Sequence, residues 1–292
     1  MDGIIIINKP KGCTSHDIVY KIKKMLNEKV GHTGTLDPMA EGVLPILVGK
    51  GTLASKYLIN HDKKYIVELQ LGTKTDTADS EGKIVEQQPV NKELLTTENI
   101  EKILQSFIGK QEQIPPIYSA IKINGKKLYE YARKGQEVKL KPRQIEIYNI
   151  KLLNYSVEEK QIKFEVFCGK GTYIRSLCED IATKFETVGY MISLKRIQVG
   201  DFKIEDSITI EELNEIIQKN ELENTKTIIT LEKLFKELPS INLDNRKLEL
   251  FLNGVMLTQK QNEGVYKIYN QKDEFIGTGT IKDTLLKRDI IL

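Results

Sequence analysis

The sequence predicts an α+β fold: a mixed-sheet core with flanking helices over residues 1–238, then a small β-barrel over residues 239–292. Three observations carry that reading. Strand and helix patterns mix without the regular βαβ repeat of a doubly wound sheet. Pro239 separates helix-forming segments from a run of short alternating strands with turn signals between them. At 292 residues, 40% apolar and 29% charged, the chain can bury one large core and one small one.

Asp2 to Asn8 is a β-branched run closed by the turn Lys9-Pro10-Lys11-Gly12, which predicts a short buried strand. Thr14 or Ser15 can cap a helix that carries Ile18, Ile22, Met25 and Leu26 on one face. A Gly/Pro-punctuated loop follows, then a strand from Val43 to Val48 and a helix from about Leu53 to Ile59. Lys64 to Leu71 sets Tyr65, Val67, Leu69 and Leu71 on one face of a strand. Residues 73–82 are polar and lead to a hairpin partner at Lys83 to Gln87. Thr97 caps a helix to Phe107 whose inward face is Ile100, Ile103, Leu104 and Phe107.

Two strands, Gln144 to Val157 and Gln161 to Cys168, meet at a charged turn around Glu158 to Lys160. Thr172 to Phe185 is helical, Met191 to Phe202 returns as a strand, and helices near Thr209 to Lys219 and Thr230 to Glu237 close the large unit. Beyond Pro239 the predicted strands are Leu248 to Leu252, Val255 to Leu257, Gly264 to Tyr269 and Glu274 to Ile281. Turns are expected at Asn253-Gly254 and Gly277-Thr278-Gly279.

Composition narrows the function. No apolar run approaches a membrane span, and Ile4 to Ile7 is too short for a signal-peptide core, so a cytoplasmic protein is expected. Cys13, Cys168 and Cys178 form no CxxC pair. His16, His32 and His61 have no metal-ligand spacing, and Gly49-Lys50-Gly51 lacks the spacing of a phosphate loop, so neither metal nor cofactor is expected. The net charge of +3 hides an asymmetry: residues 122–143 hold eight lysines and arginines against Glu130 and Glu137. Such a segment is either a solvated face or a phosphate-contacting surface, and the interleaved Tyr118, Tyr129 and Tyr131 suit the second.

The stretch Gly31-His32-Thr33-Gly34-Thr35-Leu36-Asp37-Pro38-Met39-Ala40-Glu41-Gly42-Val43-Leu44-Pro45 places one carboxylate in a loop stiffened by proline and shaped by glycine. A lone Leu-Asp-Pro is an ordinary turn. The whole run instead resembles the catalytic loop of the TruB family, tRNA pseudouridine synthases that act on uridine 55 of the T-loop. Other blocks recur in the same order: Asn8-Lys9-Pro10-Lys11-Gly12, Lys63-Lys64-Tyr65, Thr75-Asp76-Thr77 to Asp79, Pro116-Ile117-Tyr118-Ser119-Ala120, Lys122-Ile123-Asn124-Gly125, Gly169-Lys170-Gly171-Thr172-Tyr173-Ile174-Arg175 and Leu194-Lys195-Arg196.

The resemblance implies a pseudouridine synthase core with a tail like the PUA-type RNA-binding domain. It implies a cofactor-free isomerase in which Asp37 is the catalytic carboxylate and Arg175 its partner. His32, Tyr65, Tyr173 and Leu194 would bind the flipped uridine, and Lys9 and Pro10 would support the loop. Asp79 would join a nearby hydrogen-bond network. An insertion at about 115–143 would grip the T-loop through Lys122, Lys126, Lys127 and Arg133. The implied partner is the T-arm of tRNA, with no membrane, no guide RNA and a monomeric enzyme. Three rivals share these features: an RNA-binding protein with a vestigial loop, a base-excising enzyme, and the guide-RNA-dependent relative of the family.

Overall fold

The structure, a computed structural model, describes residues 2–292 except 120, 124, 133–135, 137, 139 and 223–226; at 122, 123, 127, 129 and 132 the description covers the backbone alone. Arg133 therefore lies outside the described residues, as do the side chains of Lys122 and Lys127.

The large unit is built on a ten-stranded sheet. Its elements in chain order are β1 (Gly3–Lys9), α1 (Ser15–Leu26), β2 (Val30–His32), β3 (Glu41–Val48), β4 (Lys63–Leu71), the hairpin β5 (Thr73–Thr75) and β6 (Ile84–Gln87), and α2 (Thr97–Gln105). Then come β7 (Gly109–Gln113), β8 (Arg143–Ser156), β9 (Gln161–Cys168), α3 (Ile174–Lys184), β10 (Gly189–Val199), α4 (Ile210–Gln218) and β11 (Ile228–Ile229). The sheet order is β11-β1-β3-β10-β4-β9-β8-β7, with β2 added to β3 and Phe202–Lys203 added to β10; the hairpin forms a sheet of its own. Of the sheet's named pairings only β3 with β10 is parallel, joined at Lys195↔Glu41 and Arg196↔Gly42. That junction brings the end of the Asp37 loop against β10.

The continuous apolar run of β1 is buried on both faces, as such runs require. Ile5 and Ile7 meet Ile18, Val19 and Ile22 of α1 and Leu213 of α4, whereas Ile4 and Ile6 meet Val43, Leu47 and Phe202. Thr14 caps α1 in a reciprocal box with Asp17, and Asn27 ends it in the left-handed region at φ 52°. Further along the sheet, Tyr65, Val67, Leu69 and Leu71 of β4 join β8, β9, β10, α2 and α3 in the largest core. Leu36, Met39 and Ala40 from the Asp37 loop belong to that same core.

Several expectations are corrected. The helix at 53–59 is a 3-10 turn at Gly49–Ala54 followed by a short helix at Ser55–Leu58. Thr96, not Thr97, caps α2, its hydroxyl accepting from the Asn99 amide. The strand from Met191 stops at Val199, and a turn at 200–201 folds Phe202–Lys203 back onto it. The helix expected at 230–237 is confined to Leu231–Leu234.

In the smaller unit, β12 (Ser240–Asn242), α5 (Asn245–Leu252), β13 (Leu257–Thr258), β14 (Gly264–Tyr269), β15 (Phe275–Lys282) and β16 (Leu285–Ile291) form a five-stranded sheet, ordered β12-β14-β15-β16-β13, with one helix. The segment read as a strand at 248–252 is helical because Asp244 caps it and the inward pair is Leu248 and Phe251, three apart. Leu250 and Leu252, which suggested alternation, are exposed. Gly277-Thr278-Gly279 lies inside β15 rather than at a turn. There Gly277 adopts φ 145°, and any Cβ would sit 1.9 Å from the Ile290 carbonyl oxygen of the neighbouring strand. The final strand β16 was not anticipated. Its Ile290 packs with Ala54, Leu231 and Phe235, and Asp289 accepts from Lys56 and Tyr57, which joins the two units.

Candidate active site

The loop holds Asp37 by burying its neighbours. Leu36, Met39 and Ala40 are core residues, while Asp37 between them remains half-buried. Ser15 at the start of α1 accepts from the Leu36 amide (2.9 Å) and donates to the Leu36 carbonyl (3.1 Å). Gly12 donates to the Pro38 carbonyl at 2.9 Å. Beneath the loop lies Lys9, fully buried, whose ammonium donates to the carbonyls of Ala40 (2.7 Å), Pro10 (2.9 Å) and Pro38 (3.4 Å). Burial lowers its pKa, and the Asp37 charge is among the influences that raise it again. Pro10 itself is exposed.

Arg175 is the hub of the site. It occupies the first turn of α3, where a cation is poorly placed against the helix dipole. Two carboxylates offset that: Nε lies 3.1 Å from Asp37 Oδ2 and Nη1 lies 3.4 Å from Asp79 Oδ2. Nη1 also donates to the Thr77 carbonyl (3.2 Å) and Nη2 to the Tyr118 carbonyl (2.9 Å). Asp79 is fixed in turn by the Thr77 hydroxyl (2.6 Å) and the Glu81 amide (3.1 Å). The guanidinium lowers the Asp37 pKa, yet burial raises it more, and the Asp79 charge adds to the rise. The net shift is upward, so burial outweighs the effect expected of Arg175.

Tyr65 and Leu194 lie in the core beside the loop, on adjacent strands β4 and β10. Burial pushes the Tyr65 phenol up to about 12, against the opposing influence of Arg196. Arg196 faces Tyr65 across the β4–β10 pairing and is 1% exposed. Its guanidinium donates to the carbonyls of Val43 (2.8 Å) and Gly34 (2.9 Å), one on each side of Asp37. Its chemistry was missed in the sequence, because it depends on the register Tyr65↔Arg196 in a ladder interrupted by two irregularities. Gln113, also missed, accepts from the Tyr173 amide (2.8 Å) and donates to the Tyr173 carbonyl (3.0 Å), which sets the approach to Arg175.

The remaining sequence-predicted residues are more dispersed. Tyr173 is half-buried at the N-cap of α3. His32 lies on β2, half-buried, with a buried Nδ1 that has no hydrogen-bond partner among the described residues. Burial lowers its pKa, helped by Arg196 and His16. Lys126 is exposed on a short hairpin of Lys122–Ile123 with Lys126–Lys127. Asp37, Arg175, Lys9 and Asp79 are thus brought together, with Tyr65 and Leu194 in the core that the Asp37 loop joins and His32 on β2, opposite Ile46 of β3.

Comparison with known proteins places the whole chain in one family. Residues 23–174 match the TruB family pseudouridylate synthase N-terminal domain. Residues 175–240 match the tRNA pseudouridylate synthase B C-terminal domain, and 239–287 match the C-terminal region of pseudouridine synthase II TruB. The chain is 45% identical to a tRNA pseudouridine synthase B of Clostridium kluyveri, over 98% of each chain. It is 44% identical to the protein of that name from Caldanaerobacter subterraneus subsp. tengcongensis, over 96% of this chain and 95% of the relative. Its fold resembles a chain in the structure of an H/ACA RNP bound to a substrate RNA containing 2′-deoxyuridine. The TM-score is 0.71 at 23% identity, covering 99% of this chain and 85% of that one.

Proposed function

From the premise that this chain belongs to the TruB family of pseudouridylate synthases, we propose that it isomerises uridine 55 in the T-loop of tRNA to pseudouridine. The observation that carries the reading is the Asp37 carboxylate, part open to solvent and held 3.1 Å from Arg175 Nε. The target nucleotide is flipped out of the loop, at a cost of a few kcal/mol in lost stacking. His32, with its unpartnered Nδ1, takes the vacated space, and Tyr65 supplies the face on which the uracil stacks. Tyr173 and Leu194 close the pocket around the base.

Asp37 then engages the nucleotide at C1′ of the ribose or C6 of the base. The N1–C1′ bond breaks, the uracil turns, and a C5–C1′ bond forms. The C5 hydrogen leaves as a proton and N1 ends protonated, so the product is an isomer and no electrons are exchanged. Arg175 holds the carboxylate orientation and favours its charged form. With its phenol at about 12, Tyr65 is protonated before substrate arrives and serves first as a stacking surface.

The small unit is read as a PUA-like RNA-binding module, and the basic segment around Lys122, Lys126, Lys127 and Arg133 as the grip on the T-arm. The same reading takes the enzyme as a cytoplasmic monomer, and its action without a guide RNA is supported by near-full-length similarity to relatives named for tRNA. The test is a T-loop transcript tritiated at C5 of uridine, beside an unrelated hairpin. Release of tritium from the first alone, lost in Asp37→Asn, is the expected result. Intact mass of the RNA stays constant, whereas base excision would leave an abasic site. A folded protein that releases no tritium refutes the proposal.

A further inference from the structure

The exposed face of α1 is not used by the chemistry above, yet it is basic, aromatic and joined to the site. His16, Tyr20, Lys23 and Lys24 recur at helical spacing and are all exposed, with Lys21 beside them. Tyr20 is 53% exposed, an unusual place for an unburied aromatic ring, and Lys24 Nζ stands 4.5 Å from its centroid. A groove of about 500 Å³ runs along this face, lined by Cys13, Asp17, Tyr20, Lys21, Lys24 and Met25. The groove thus combines an aromatic ring and two sulfur side chains with two ammonium groups. Its one carboxylate, Asp17, is engaged in capping Thr14.

One contact ties the face to the candidate site. Ser15, the first residue of α1, exchanges hydrogen bonds with Leu36, next to Asp37. The helix rises ~1.5 Å per residue, so Lys24 lies within about 14 Å of Ser15 along the axis. That distance corresponds to a few nucleotides of RNA backbone.

We propose that this face of α1 is a second RNA-contacting surface, in which Lys21 and Lys24 bind phosphates near the target uridine and Tyr20 stacks on an unpaired base. The inference rests on the reading that the substrate is a T-arm. Charge complementarity and continuity with the site select RNA as the occupant. Cationic side chains interleaved with an exposed aromatic are what single-stranded segments bind.

The test uses the full chain, a T-arm hairpin and two variants, Lys21→Gln/Lys24→Gln and Tyr20→Ala. All three side chains are exposed, so melting temperatures should match the wild type. For the double variant the slope of log affinity against log salt should fall in magnitude by roughly 1.4–1.8, the loss of two phosphate contacts. Tyr20→Ala should weaken binding roughly 10-fold, the scale of one lost base stack. The single-turnover rate at saturating RNA should be unchanged in both. Unchanged affinity and salt slope, in folded variants, would show a merely solvated face and overturn the proposal. A slower saturated rate with unchanged affinity would overturn it too. Failure of the wild type to release tritium from the hairpin would instead refute the assigned reaction, and the binding measurement remains separate from it.

Discussion

Replacing Arg175 with methionine should raise the pH at which activity is lost on acidification. Two unit charges ~4 Å apart attract by about 4 kcal/mol at an effective dielectric of ~20. The Asp37 side chain is 35% exposed, and solvent screening reduces its share to about 2 kcal/mol. That is an upward displacement of about 1.5 pH units in the Asp37 titration. The sign follows from the site: Arg175 lowers the Asp37 pKa, so its loss adds to the rise that burial already causes. Asp79→Asn should act oppositely, because the Asp79 charge raises the Asp37 pKa. The assay is single-turnover tritium release against pH for wild type and both variants. Arg175→Met also strands Asp79, 5% exposed on its side chain, at a cost of roughly 3 kcal/mol in stability. A melting curve must therefore confirm folding at each pH. An acid limb that stays fixed in both folded variants, or moves the same way in both, would refute the electrostatic argument.

Asp37→Asn should abolish turnover without lowering stability at neutral pH. The folded pKa of Asp37 lies above its ordinary value, so the folded state binds that proton more tightly and keeping the group ionised above the unfolded value costs stability. Calorimetry should show an equal or higher melting temperature and a flatter dependence on pH just above the ordinary carboxylate range; a lower one would mean that pairing with Arg175 outweighs burial. Arg196→Lys keeps the charge but cannot reproduce the paired bonds to Val43 and Gly34, so kcat should fall ten- to a hundred-fold (about 1.5–3 kcal/mol) with KM nearly unchanged in steady-state assays. Asp289→Ala removes the acceptor shared by Lys56, Tyr57 and Thr278, which should cost about 1.5–3 kcal/mol at the junction of the two units and speed limited proteolysis near Pro239.

Most of the large unit could be read from sequence because its strands and helices carry strong periodicity. The isoleucine run of β1, the alternation of β4 and a cap at Thr14 or Ser15 leave few alternatives for the elements themselves. Errors fell where a local signal was ambiguous. Leu248, Leu250 and Leu252 alternate like a strand, but Asp244 and the Leu248–Phe251 spacing select a helix. Gly277 and Gly279 suggest a turn until the close approach of Ile290 shows why a strand needs glycine there. The site was legible as a set of residue types in order, and Asp37 with Arg175 is the clearest case. The roles of Arg196 and Gln113 were not, although Arg196 ends the block Leu194-Lys195-Arg196. What they do depends on which strand or backbone segment lies across from them, which only the assembled fold supplies.

The charges around Asp37 also explain why two carboxylates share one arginine. Lys9 and Arg196 are fully buried, and each is held by backbone carbonyls rather than by Asp37. Arg175 divides its bonds among Asp37, Asp79 and two carbonyls. All three cations are thus fixed in place before any RNA arrives, so little reorganisation is needed when charge develops during reaction. If Arg175 faced Asp37 alone, the pair would bind more tightly and the carboxylate would be more fully neutralised. Asp79 takes part of that positive field and pushes the Asp37 pKa upward. The arrangement holds Asp37 in position through Arg175 and the loop while leaving its oxygen less neutralised than a simple ion pair would.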